Sequence, residues 1–228
     1  MGTAQLKVEY NSKKNEIRER LSQFEKFFNE PYSWHYIDNN LKLLPSDKND
    51  NERIFEELAF CIFTANNSAE EGLKSVDKVR NVLMKGSTYD MTRKLDGNRF
   101  NRIRPKYIVY TREHLKKFIN FELRKKIDSL KDSKNDLRNF FVINVKGLGM
   151  KEASHFLRNI GFRGYAILDK HIMNSMREFG VLNENIKLTS KNYLEIEQKY
   201  KDFSKKIGID MDELDLLLWS RKNGRILK

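Results

Sequence analysis

The sequence predicts an all-α fold built as two helical lobes. Three observations carry this. Apolar residues recur at i, i+3 and i+4 along most of the 228 residues, which is the period of an amphipathic helix. Strand signals are few, because Asp96-Gly97 and Asn223-Gly224 lie between helical patterns rather than alternating ones. The chain holds only 3 prolines, so helical runs are broken at few points, and no fixed repeat or low-complexity tract appears.

The elements follow in order. Residues 11–29 carry Ile17, Leu21, Phe24 and Phe28 on one stripe, with Pro31 after it. Residues 32–51 are polar, contain Pro45, and read as a linker between packed parts. Residues 52–64 form a second helix through Ile54, Phe55, Leu58, Ala59 and Ile62, and residues 70–84 a third, ended by Gly86. Arg104-Pro105 opens a fourth, with proline in the first turn, where its missing N–H costs least. Asp132 or Ser133 suits the cap of a helix carrying Leu137, Phe140 and Phe141. After the turn Lys146-Gly147-Leu148-Gly149, a helix runs from Met150 to a stop at Gly161. Asp169 begins another, which stops at Gly180. Thr189 starts a longer helix through Tyr193, Ile196, Tyr200 and Phe203, ending by Gly208, and Asp210 caps the last one, with Leu214, Leu217 and Leu218.

Composition excludes several classes. The longest unbroken apolar run is Leu58 to Phe63, far short of the roughly 20 residues of a membrane span. The first residues have no apolar stretch of the secretory kind, so a cytoplasmic protein is expected. One cysteine, Cys61, makes neither an internal disulfide nor a four-cysteine cluster. It lies in an apolar run and reads as a buried inert thiol. The four histidines show no metal-ligand spacing. A net charge of +12 favours a polyanionic partner, nucleic acid above all, although a lysine-rich solvated surface gives the same number.

The most informative stretch runs from Asn144 to Asn174. A helix ends, Gly147 and Gly149 turn the chain, and a helix starts at once. Two glycines one residue apart let the backbone turn sharply and expose its amides. With the positive end of the next helix they form an anion site suited to a phosphate diester. An ordinary helix–helix connection would use the same residues. Lys151 shifts the balance, since lysines prefer the opposite helix end and an amine placed here is arranged as a nucleophile. Asp169 lies one helix and a short loop further on. It suits both an N-cap and a catalytic carboxylate.

At these residues a resemblance appears. GLGMKEASHFLRNIG followed by ILDKHI resembles the helix-hairpin-helix, glycine-rich-loop and aspartate signature of the DNA glycosylase superfamily. More narrowly, the chain resembles the archaeal-type 8-oxoguanine DNA glycosylase/AP lyases. ELAFCIFTANNSAE (57–70), NRFNRIRPKYIVYTRE (98–113) and DELDLLLWSRKNGRILK (212–228) resemble that family as well. The resemblance covers most of the chain and is weakest before Asn51. It implies one glycosylase unit of two lobes with the active-site cleft between them. The helix-hairpin-helix would occupy about 136–161 and a catalytic lobe about 105–185, with the N-terminal and C-terminal helices forming the other lobe.

The resemblance also implies roles. Lys151 falls on the nucleophile position, forming a Schiff base at C1′ and cleaving the strand by β-elimination. Asp169 falls on the aspartate that stabilises charge on the sugar. Gly147, Gly149 and His171 match phosphate-holding positions. Asn66 or Asn67 matches the residue that fills the gap left when a base is rotated out of the stack. Phe100, Trp219 and the terminal Lys228 match the base pocket, where the free carboxylate of Lys228 reaches the modified purine. In relatives, hairpin carbonyls hold a monovalent cation, which marks Val145, Gly147 and Met150. No cofactor is required on this reading. The expected partner is double-stranded DNA carrying 8-oxoguanine or abasic sites, bound by a monomer, with no membrane involved. Two alternatives stand beside it: a non-catalytic helix-hairpin-helix DNA-binding module, and a glycosylase for a different damaged base.

Overall fold

The computed structural model describes residues 2–228, apart from the side chain of Asn223. Among the described residues there are eleven helices and one two-stranded antiparallel sheet. The chain forms two compact units, residues 26–156 and residues 1–25 with 157–228. The all-α expectation holds apart from the small sheet. The boundaries differ from the lobes expected at about 105–185 and beyond. The chain passes from unit to unit inside α1 (Thr3–Asn29) and α8 (Met150–Asn159), where no glycine or proline marks the change.

The unit of 26–156 is organised around α2 (Asp50–Thr64), capped by the Asn49 side chain accepting Glu52 N–H. From Arg53 onward every residue of α2 is buried, the charged Arg53, Glu56 and Glu57 included, so the helix lies in the core of this unit. Cys61 is among these buried residues, as expected. The helices α3 (Ala69–Val79), α5 (Arg104–Ile119) and α6 (Leu123–Leu130) pack on α2. Buried Arg53 is satisfied by the Tyr32 carbonyl at 2.9 Å and by an ion pair with Asp50. The short α4 (Thr88–Lys94) is closed by a reciprocal Ser87/Asp90 capping box. Ser133, not Asp132, caps α7 (Lys134–Asn144).

Residues 32–51 are not a linker. They form a hairpin, β1 (Tyr32–Ile37) against β2 (Asn40–Pro45), in the register Trp34↔Leu43. Asp38 and Asn39 turn it with φ of 50° and 58°. Asp and Asn are the residues other than glycine that tolerate this left-handed pair. Trp34 is buried and stacks on Phe27 at 6.4 Å, which fixes the hairpin to the core. The third helix is shorter than its pattern suggests, giving way to turns after Val79. The helices α4 and α6, of 7 and 8 residues, were not anticipated. About two turns give too few repeats for a period to be read.

In the other unit, α9 (Lys170–Glu178) and α10 (Tyr193–Ile207) pack against α11 (Met211–Asn223). The anticipated helix start at Thr189 is instead a turn, with Thr189 N–H on Asn192 Oδ1 at 2.7 Å. Near the N-terminus, Glu213 of α11 accepts Tyr10 Oη and pairs with Arg18 Nε at 2.7 Å. Burial and the Glu213 carboxylate push the Tyr10 hydroxyl up to about 12. Gly161 has φ +91°, and a Cβ there would lie 2.9 Å from Glu25 Cα. Only glycine lets α1 approach this closely. No helix among the described residues is long and apolar enough to cross a membrane.

Behind α9 lies a buried carboxylate. Asp215 pairs with Arg158 at 3.1 Å, both sealed from solvent. Burial outweighs that attraction and, with Asp169 and Asp212 nearby, pushes Asp215 up to about 7. Burial likewise pushes Asp212 up to about 6. The folded chain therefore holds a proton on Asp215 at pH values where the unfolded chain has lost it. Stability from this group is fully present below about pH 4 and is lost as pH rises to about 7. Urea unfolding of wild type and Asp215→Asn from pH 4 to 7 should show wild type losing on the order of a few kcal/mol relative to the variant. Parallel curves would mean that Asp215 stays ionised in the folded state.

Candidate active site

The hairpin is held by α5. Lys146 N–H donates to Thr111 Oγ1 at 3.0 Å, and Thr111 is buried on α5. Leu148 is buried and donates its N–H to the Val145 carbonyl at 3.3 Å, while Gly147 and Gly149 stay exposed. Gly147 has φ +90°, and a Cβ there would meet the Tyr107 ring at 2.6 Å. Conformation and space therefore both demand glycine at 147. Gly147→Ala should destabilise the fold by about 1–3 kcal/mol and weaken DNA binding, read by thermal unfolding and duplex affinity. Unchanged values in both would show that the hairpin tolerates a side chain.

Lys151 stands in the first turn of α8, at the positive end of the helix. Its Nζ lies 3.0 Å from Glu152 Oε1, while Glu152 Oε2 accepts Gly149 N–H at 3.3 Å. One acidic side chain thus touches both the hairpin and the candidate nucleophile. Sequence reading passed over Glu152, although an acid three residues after a helix-starting glycine is a capping signal. His155, one turn beyond Lys151, packs edge-on against Phe60 at 5.7 Å.

A second group in the same unit surrounds the end of α2. Asn66 is exposed with φ 56°, and Asn67 returns its N–H to the Thr64 carbonyl at 2.9 Å. The buried Arg104 guanidinium donates to the Phe63 and Ala65 carbonyls and lies 4.3 Å over the Phe100 ring. Phe100 itself has φ 66°, a strained value for a bulky residue. Burial lowers Arg104 to about 10. Arg104 therefore ties the turn carrying Asn66 and Asn67 to Phe100. Sequence reading missed it, but an arginine opening a helix, where cations are disfavoured, was an available signal.

In the unit of 1–25 and 157–228, Asp169 is the N-cap of α9. Its Oδ1 accepts the His171 and Ile172 amides at 2.8 and 2.9 Å. Among the described residues Oδ2 takes no hydrogen bond, so capping leaves one carboxylate oxygen available. His171 meets the Trp219 ring edge-on at 4.9 Å and takes Lys222 Nζ on Nε2 at 2.7 Å. Burial, helped by the Lys222 charge, holds His171 below the usual histidine range despite Asp169. Lys222 was not foreseen, being one basic residue among 44. Lys228 is buried, and Ile226 just before it accepts Arg20 Nη2 at 3.3 Å. The C-terminal residues are thus packed into the fold. No cluster of three or more metal-ligating side chains occurs among the described residues.

The structure therefore gathers Lys151 with Gly149, and Asn66 and Asn67 with Phe100, in one unit. It gathers Asp169, His171 and Trp219 in the other. A turn between two helices with Gly147 and Gly149 exposed, and a lysine in the first turn of the second helix, is the arrangement of a helix-hairpin-helix DNA glycosylase. The chain belongs to the 8-oxoguanine DNA glycosylase family, whose model matches residues 38–209. It is 40% identical over 195 residues to an 8-oxoguanine DNA glycosylase/AP lyase of Korarchaeum cryptofilum, covering 84% of this chain and 90% of the relative. A Fusobacterium nucleatum protein of the same name is 35% identical over 222 residues, covering 95% and 100%. The crystal structure of Methanocaldococcus jannaschii 8-oxoguanine glycosylase/lyase with a 15mer DNA containing 8-oxoguanine aligns with TM-score 0.79 and 31% identity, covering 99% of each chain.

Proposed function

We propose that the chain excises 8-oxoguanine from duplex DNA and then cleaves the strand at the resulting abasic site, acting as a monomer. Lys151 attacks C1′, the C1′–N9 bond breaks, and the base departs with the electron pair and a proton. The lysine nitrogen lone pair then opens the C1′–O4′ bond, O4′ takes a proton from water, and the protonated Schiff base so formed acidifies the C2′ hydrogens. Loss of one of them breaks the C3′–O bond, and water then releases the lysine. Asp169 stabilises positive charge on the sugar through the carboxylate oxygen that capping leaves available. The observation that carries this reading is the placement of Lys151 in the first turn of α8, directly after the exposed Gly147–Gly149 turn.

The remaining residues take supporting parts. Gly147, Gly149 and His171 hold backbone phosphates. Asn66 and Asn67 fill the space the rotated base leaves, and Phe100, Trp219 and Lys228 receive the base. A monovalent cation would sit on the carbonyls of Val145, Gly147 and Met150. Val145 already accepts Leu148 N–H and keeps a second lone pair for it.

Borohydride reduction on an 8-oxoguanine duplex tests the reading, because it freezes a Schiff base as a stable covalent adduct. Capture of the chain on the DNA supports the enzyme. Binding without capture would make the chain a DNA-holding module, and capture only with other lesions would change the substrate.

A further inference from the structure

Glu152 has no part in the reaction above, yet it touches two of its components. The carboxylate spans Gly149 N–H, at 3.3 Å from Oε2, and Lys151 Nζ, at 3.0 Å from Oε1. The first contact is half of an ordinary capping box, with glutamate at the third helical position. The second goes beyond capping, because the neighbouring lysine is drawn onto the same carboxylate. The two side chains are 28% and 18% exposed, so solvent screens the pair less than it screens an open surface pair.

Both contacts oppose the proposed chemistry while DNA is absent. A carboxylate oxygen on Gly149 N–H occupies a donor that a phosphate oxygen would take. An Nζ held against the Glu152 carboxylate is not free to turn toward a sugar carbon. A phosphate arriving at the hairpin carries the same sign of charge as Glu152 and seeks the same amide. The two anions repel at this distance, and the glutamate, on a flexible side chain, is the one able to leave.

We propose that Glu152 is a latch that the DNA backbone displaces. In the unliganded protein it occupies the hairpin amide and holds Lys151 Nζ. A phosphate on the hairpin takes over Gly149 N–H, the carboxylate swings away, and Lys151 Nζ is free to turn toward the sugar. No covalent bond changes in this step. Glu152 is thus a positioning residue, and the proposal rests on the reading of Lys151 as the nucleophile.

The test uses the full chain and two readouts. In the first, DNA-free protein is acetylated with N-hydroxysuccinimidyl acetate, and the rate at Lys151 is followed by peptide mass spectrometry against Lys146 and Lys170. Glu152→Gln keeps an oxygen for Gly149 N–H but removes the ion pair, so Lys151 acetylation should rise about 3- to 5-fold while the reference lysines stay constant. In the second, the affinity for a duplex with a non-cleavable abasic analogue should tighten by about the same factor, since the repelling charge is gone. Borohydride capture at saturating abasic-site duplex should not fall below wild type, because DNA opens the latch in both proteins.

Unchanged acetylation would overturn the latch. So would a tenfold fall in saturated capture, which would make Glu152 part of the chemistry itself. If Glu152→Gln folds poorly, Glu152→Ala gives the same acetylation readout at a lower melting temperature. If acetylation rises but wild type is never captured on DNA, the ion pair stands and the nucleophile assignment fails, so the two failures are separable.

Discussion

Lys151→Gln is expected to bind lesion-bearing duplex with affinity close to wild type and to lose strand cleavage by on the order of 10³-fold or more. Glutamine is similar in length and polar, so the first turn of α8 and its packing are preserved. The side chain retains no basic nitrogen, so no Schiff base forms and borohydride captures nothing. Binding survives because the hairpin amides and the basic surface are unaffected, and backbone contacts supply most of the sequence-independent affinity. Single-turnover cleavage of an 8-oxoguanine duplex, run beside a gel-shift titration, separates the two quantities. A variant that cleaves like wild type would remove Lys151 from the mechanism. A variant that neither binds nor cleaves would be judged by its melting temperature first.

Deleting Lys228 should produce a different signature. The proposed base pocket includes Lys228, which is buried. Removing it withdraws that residue from the pocket and leaves Lys151 and the hairpin intact. Excision of 8-oxoguanine should fall about 10- to 100-fold, the effect of losing one charge-assisted hydrogen bond to the substrate. Cleavage of a preformed abasic site, which has no base to hold, should change by about 3-fold or less, a difference worth well under 1 kcal/mol. Equal losses on both substrates would show that the tail serves folding rather than base recognition.

Much of this was legible before any coordinates. The helix-hairpin-helix shows in sequence because a sharp turn between helices demands Gly147, whose φ of +90° and proximity to Tyr107 admit no other residue. Asp169 was legible as a cap because a short acceptor side chain just before a helical period has one usual job. The β1–β2 hairpin was misread because its turn uses Asp38-Asn39 rather than a glycine, and its polar face hides a single anchoring tryptophan. The helices α4 and α6 were missed because two turns show no period. Glu152 and Arg104 carried only local helix-end signals and Lys222 none, since each is one charge among many until its partners are placed around it.

The sequence alone determined the helical class, the glycine turn between two helices and the lysine and aspartate that suggest the chemistry. These features depend on local rules: periodicity, capping and the conformational freedom of glycine. Tertiary structure decided how Arg104 joins the Asn66 turn to Phe100, and that burial, with Asp169 and Asp212 nearby, raises Asp215 to about 7. Those outcomes depend on distance and burial between residues far apart in the chain, and neither quantity is encoded in the neighbours of any one position.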